Sequence, residues 1–403
     1  MKRNSYTNYK FVLLFPFCLL LFSALRAQSF SVGHRTEVFV DSSRANRSID
    51  AEVYYPADVA GDNVAFTSAS DLFPVLAFGH GFVMTWDAYQ NIWEAVVPNG
   101  YIMIFPKTEG TISPSHEQFG LDLAFLIREM HRLNSDNASF YFQHVDSMDG
   151  VMGHSMGGGA SFLAMASDTS IRSMALLAPA ETNPSAISAA SFITAPSLIF
   201  AGENDCVTPP ASNQIPMYDS LQSDCKDLIT ILGGSHCQMA NSNFLCSIGE
   251  SSCSPAPTIS RADQHLAISR YLIPWLNYTL KNDCQSGLDF ENTLQSDATV
   301  TAVKNCSLCS LNQISSISAL SVVISPNPLT SDILQITIPE SVDHIASFLI
   351  VSALGEIVYN GRLNSVGEKG KYALTLPDLK NGVYFLKADT GKESYTNRVV
   401  VLR

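Results

Sequence analysis

The apolar positions of this chain follow two rhythms, and the change from one to the other divides it. Up to Asn282, short and mostly apolar runs alternate with longer stretches in which apolar residues recur every three or four positions. FPVLAFGH, YIMIFPK, MDGVMG, SMALLAPA, APSLIFAG and DLITILGG are the short runs. At that length, bounded by Gly, Pro and Asn, they read as strands buried on both faces. DAYQNIWEAVVPNG, residues 115–134, the segment opening at Met156, residues 211–222 and SRADQHLAISRYLIPWLNYTL have helical spacing. Ahead of them, RTEVFVDSS and SIDAEVYYPA read as the two strands of a hairpin. Strand and helix in alternation predict an α/β fold, a mostly parallel sheet with helices on both sides.

Past Asn282 the pattern stops. Residues 284–319 are rich in Ser, Asn and Cys without sustained periodicity and read as a linker. From 320 to 403 the rhythm is strict alternation in short segments: LSVVISP, ILQITIP, SFLIVSAL, EIVYNGRL, YALTLP, GVYFLKAD and NRVVVLR, with NP, LG, NG and TG as turns. Such spacing without helices predicts a small β-sandwich. Residues 1–27 are different again, with Lys2, Arg3 and Lys10 ahead of FVLLFPFCLLLFSAL and small residues leading to Ala27. A basic start, a short apolar run and a small residue at the exit describe a secretory signal peptide. The catalytic candidate is then the stretch 28–283, and no later segment is long and apolar enough for a transmembrane helix.

Composition sharpens this picture at two points. Without residues 1–27, 20 Lys and Arg face 37 Asp and Glu, a net charge of −17, which makes nucleic acid an unfavourable partner. Eight cysteines remain after Cys18 leaves with the signal. An even number in an exported chain predicts disulfides, and the CxxC of Cys306 and Cys309, with no second CxxC nearby, reads as structural rather than as zinc or redox chemistry.

The candidate chemistry centres on GVMGHSMGGGA. Gly153-His154-Ser155-Met156-Gly157 places a serine between a buried strand and a helix, where glycines two residues to either side relieve the crowding of a sharp turn. Ser155 is thereby a candidate nucleophile. It needs a base, a carboxylate to orient the base, and donors for an oxyanion. Asp205 follows the end of the strand SLIFAG, with Glu203 as its nearer-placed competitor; His236 follows DLITILGG in the loop GGSHC. The chain order Ser155, Asp205, His236 is that of α/β-hydrolases. His131 and His265 lie on helices and read as surface or packing residues, and His154 is expected to point away from the base. The oxyanion donors expected are the backbone N–H groups of Met156 and of Phe82, in the loop Gly79-His80-Gly81-Phe82. Phe82 and Trp86 are candidate apolar walls for an acyl group. No HExxH, EF-hand or GxGxxG motif suggests a metal or dinucleotide site.

At these motifs the sequence resembles known families. VMGHSMGGGAS, ALLAPA, APSLIFAGENDCVTPP and GGSHC resemble bacterial cutinases and PET hydrolases, over most of residues 35–280. The loop FGHGF is more similar to the dienelactone hydrolase and chlorophyllase-like group. The resemblance implies small-molecule or polymeric ester substrates, a Ser-His-Asp triad and no cofactor. An amidase or peptidase could run on the same triad, and a binding protein could keep the fold without activity. Polyester-cleaving cutinases usually carry a tryptophan shortly after the strand that follows the elbow; LLAPAETN has Ala180 and Glu181 there, so Ala180 is the expected substrate contact. The stretch after His236 is longer than in cutinases, and its Cys237, Cys246 and Cys253 suggest a stapled loop that roofs the cleft. The C-terminal domain resembles the sorting domain of the type IX secretion system through SPNP, SALGEIVYNG and LKNGVYFLKADTG. That implies export across the outer membrane with that machinery as partner.

Overall fold

The computed structural model describes residues 29–306, 323–337, 347–352, 357–361, 371–376, 379–389 and 394–402. The signal segment and Cys309 lie outside the described residues. The chain divides into two compact units, the first ending at Leu308.

The first unit begins with the expected hairpin, β1 (Ser31–Asp41) and β2 (Arg47–Ala57), paired antiparallel over their whole length. A two-residue strand β3 (Gly61–Asp62) lies outside β1. Then β4 (Phe73–Gly79), α1 (Gln90–Val96), β5 (Ile102–Pro106), α2 (His116–Asn134), β6 (Val145–His154) and α3 (Met156–Ser167) follow in order. After them come β7 (Ser173–Leu177), α4 (Ala186–Ala190), β8 (Ser197–Gly202), α5 (Gln214–Ser220) and β9 (Lys226–Ile231). The unit closes with α6 (Phe244–Glu250), α7 (Arg261–Lys281), α8 (Cys284–Ser296) and β10 (Val300–Lys304). The ten strands form one sheet in the order β10-β9-β8-β7-β6-β4-β5-β2-β1-β3. Its middle, from β5 to β9, is parallel throughout.

Burial on both faces explains why those central strands are apolar along most of their length. Val75 and Ala77 of β4 join the core under α2, α3, α4 and α5, whereas Leu76 and Phe78 join the core under α1, α7 and α8. Val151 and Met152 of β6 divide in the same way, as do Ile199 and Phe200 of β8. Side chains alternate across a strand, so a sheet covered twice must be apolar at both phases. Helix α2 buries Phe119, Leu123, Leu126, Ile127 and Met130, and Ser115 caps its start by accepting from the Gln118 N–H. Helix α7 starts on a Ser260 cap and ends at Asn282 in left-handed conformation.

Residues 284–304 depart from the expected linker. They form α8 and β10, with β10 pairing antiparallel with the edge strand β9. The helix escapes sequence reading because only Gly287 and Phe290 are buried, Phe290 lying against Tyr271 and Trp275. One large side chain in thirteen residues leaves no periodicity to detect. Cys306, the described cysteine of the CxxC, bonds to Cys225, just ahead of β9, a partner distant in sequence. Cys284 is disulfide-bonded too.

In the second unit, β11 (Val323–Ser325), β12 (Ile333–Thr337), β13 (Ser347–Ser352), β14 (Ile357–Gly361), β15 (Lys371–Thr375), β16 (Gly382–Asp389) and β17 (Ser394–Val401) match the seven expected strands. They form two antiparallel sheets, β11-β12-β15 and β14-β13-β16-β17, around a core of Leu334, Ile336, Ile350, Leu374, Leu386 and Val399.

Candidate active site

Ser155 sits between β6 and α3 with φ 54° and ψ −122°. A non-glycine residue held there is strained by about 1–3 kcal/mol, which the surrounding packing must offset. The packing is very close. A side chain on Gly157 would come within 2.1 Å of the Gly79 backbone, so the start of α3 lies directly on the end of β4. Val83 (φ 51°) and Ala178 (φ 42°) also have left-handed backbones, placing forced turns after β4 and β7 beside that of Ser155.

The three candidate residues follow β6, β8 and β9, at the carboxyl ends of parallel strands, where open α/β sheets form crevices. His236 Nδ1 lies 2.8 Å from Asp205 Oδ2, and both residues are buried. Asp205 Oδ1 accepts from the N–H groups of Val207 (2.9 Å) and Thr208 (2.8 Å), so both carboxylate oxygens are engaged. Thr208, which sequence reading missed, puts its hydroxyl 2.9 Å from Asp205 Oδ2 and 3.0 Å from His236 Nδ1. Only its place just after Asp205 hinted at it, since an aspartate side chain commonly bonds the backbone of the residues that follow it in a turn. Glu203 is excluded as the orienting carboxylate by its own bond, for its Oε2 accepts from the Gly233 N–H at 2.7 Å.

His236 is held from several sides. Gln264 of α7 accepts from the Ser235 N–H (2.9 Å) and donates to the Ser235 carbonyl (2.8 Å), clamping the residue before the histidine. On the other side Cys237 bonds Cys246 of α6, while Cys206, next to Asp205, bonds Cys253. The stapled loop is therefore fastened to the neighbours of both candidate catalytic groups. Glu250 of α6 accepts from the Cys237 N–H at 3.0 Å, and Phe244, Leu245 and Ile248 are exposed on the helix.

His154 differs from expectation. It faces His236: the ring centroids are 4.6 Å apart, and His154 Nε2 lies 3.2 Å from the His236 carbonyl oxygen. This contact also brings the Ser155 turn against the candidate base. His131 pairs with Asp149 and His265 bonds the Ala240 carbonyl, partners of the kind expected of packing residues on helices. Of the expected substrate contacts, Phe82 is 48% exposed and Ala180 donates its N–H to the Ser155 carbonyl at 2.9 Å. Trp86 packs against the α1/α7 core with Lys107 over its ring, so its indole is engaged in packing. Glu181 caps α4 by accepting from Ile187 N–H.

A strained serine at a strand–turn–helix, with an Asp–His pair at the ends of later strands of the same sheet, defines the class as the α/β-hydrolase fold. Within it, the PET hydrolase-like family model matches residues 33–305, and the chain belongs to that family. Ester hydrolysis is the reaction class this membership carries. Residues 323–402 match the secretion system C-terminal sorting domain, which marks the protein for export to the surface or beyond. Cutinase 1 of Thermobifida cellulosilytica is 23% identical over 224 residues, covering 55% of this chain and 74% of that protein. The cutinase of Thermobifida fusca (strain YX) is 23% identical over 224 residues, 55% of this chain and 65% of its own length. Cutinase est1 of Thermobifida alba is 25% identical over 165 residues, 40% of this chain and 53% of that protein.

Proposed function

We propose that the first unit is a serine hydrolase that cleaves carboxylic esters through an acyl-enzyme, with Ser155 as nucleophile, His236 as base and Asp205 as its orienting carboxylate. The observation that carries this reading is the buried 2.8 Å contact between His236 Nδ1 and Asp205 Oδ2 beside the strained Ser155 turn. With Nδ1–H donated to the carboxylate, Nε2 is left as the lone pair that takes a proton. Ser155 Oγ attacks the ester carbonyl carbon while its proton passes to Nε2. The tetrahedral oxyanion is met by the N–H groups of Met156 and Phe82. Met156 opens α3, and a first-turn N–H has no acceptor within its helix. Collapse expels the alcohol, which takes the proton from Nε2. Water then attacks the acyl-enzyme, gives its proton to Nε2, and the acid leaves as Ser155 regains the proton.

Exposed Phe82 forms one apolar wall for the acyl group, and the small Ala180, whose N–H donates to the Ser155 carbonyl, leaves room beside the serine. The cutinase relatives make polymeric esters the first substrates to try beside short soluble ones. Ser155→Ala in the full chain is expected to lower nitrophenol release from nitrophenyl butyrate by ~10³-fold or more. Turnover equal to the unsubstituted protein would sink the reading.

A further inference from the structure

Behind the candidate site, three hydrogen bonds join two loops that the reaction must hold in register. The Gly81 N–H lies 2.8 Å from Tyr89 Oη, and that oxygen is 3.0 Å from His154 Nδ1. His154 Nε2 in turn lies 3.2 Å from the carbonyl oxygen of His236. The end groups set every direction. An amide N–H only donates, so the Tyr89 oxygen accepts there; a carbonyl only accepts, so His154 Nε2 carries the proton. A neutral ring then has its lone pair on Nδ1, and the Tyr89 hydroxyl donates to it. Burial, with His236 close by, holds the His154 pKa well below its usual value, and burial raises that of Tyr89. Both side chains are fully buried, and a Cβ on Gly81 would come within 3.2 Å of Tyr89 Oη and 3.3 Å of His154 Nδ1.

We propose that Tyr89 and His154 are positioning residues that lock the oxyanion loop to the base loop. One end of the line is the peptide just before the Phe82 donor, and the other is the backbone of the base itself. The His154 ring also braces the His236 ring at 4.6 Å, while Asp205 and Thr208 hold Nδ1. Being buried, neither residue is placed to touch substrate. Their loss should therefore act through geometry, for which misplacement by about 1 Å can cost ~100-fold, and should appear in kcat rather than KM. The inference rests on the triad reading above.

The test uses the full chain, with reactive serines counted by labelling with a nitrophenyl phosphonate and turnover measured on nitrophenyl butyrate. Tyr89→Phe and His154→Leu are expected to lower kcat per labelled site by about 10- to 100-fold, with KM within about twofold. His154→Gln, whose amide can both donate to the His236 carbonyl and accept from Tyr89, should recover most of that loss. Two results would overturn the proposal. One is a kcat per labelled site within about twofold of wild type in Tyr89→Phe. The other is a smaller labelled fraction with kcat per labelled site unchanged, which is a folding role only. If the unsubstituted protein took no label, the triad reading would fail and this inference with it, a result distinguishable because it needs no variant.

Discussion

Thr208 has no marked neighbours in sequence, yet its hydroxyl lies within hydrogen-bond reach of Asp205, His236 and the Ala178 carbonyl at once. Gln214 Nε2 donates to the same oxygen at 3.2 Å, leaving the Thr208 proton for Asp205 or Ala178. A bond to a charged group contributes about 1.5–3 kcal/mol. Thr208→Val should therefore reduce kcat by about tenfold or more on nitrophenyl esters, with the fold intact by circular dichroism. An unchanged kcat would mean the hydroxyl contributes nothing to the pair. Glu203 and Asp205 show the same lesson from the other side. They are two residues apart on one turn, yet the Glu203 carboxylate accepts from the Gly233 N–H while that of Asp205 meets His236.

At the scale of elements, β10 extends the sheet along β9, which holds a buried carboxylate. Asp227 of β9 is fully buried; its Oδ1 accepts from the Asn305 N–H, and its Oδ2 has no hydrogen-bond partner among the described residues. Burial chiefly, with Glu291 of α8 adding repulsion, pushes its pKa up from 3.8 to about 7. The raised value means that the folded state keeps a proton the unfolded chain has lost. Stability is thus forfeited progressively from about pH 4 to pH 7, reaching ~4 kcal/mol above pH 7. Asp227→Asn keeps an acceptor for Asn305 and removes the charge. Its melting temperature should exceed wild type by a margin that grows between pH 5 and pH 8; an equal margin at both would refute this account. The exposed apolar residues of α6 belong to this scale too, since two disulfides rather than a core hold that helix.

For the whole molecule, each unit builds its core from its own residues. A protein ending at Ser310, which keeps all eight cysteines that follow the signal segment, should accordingly turn over nitrophenyl butyrate with the kcat of the full chain. One ending at 283 should not: it lacks Phe290, β10 and the Cys225 partner, and exposes the β9 edge. Burying a phenylalanine contributes about 3 kcal/mol or more, so the shorter form should melt markedly lower or aggregate. Comparable melting of the two truncations would show that α8 and β10 are dispensable.

The sequence by itself determined the alternation of buried strands and helices, the seven short strands of the second unit, the serine elbow and the order of Ser155, Asp205 and His236. These were legible because each rests on local chemistry: periodicity, a glycine-flanked turn, and residues just past strand ends. Only the tertiary structure decided that residues 284–304 belong to the first unit, because one buried phenylalanine and an edge pairing leave no periodic trace. It alone turned His154 toward His236, engaged Trp86 in packing, and brought Tyr89 and Thr208 to the site. Such partners are tens of residues apart along the chain, and no local pattern encodes which loops a twisted parallel sheet brings together.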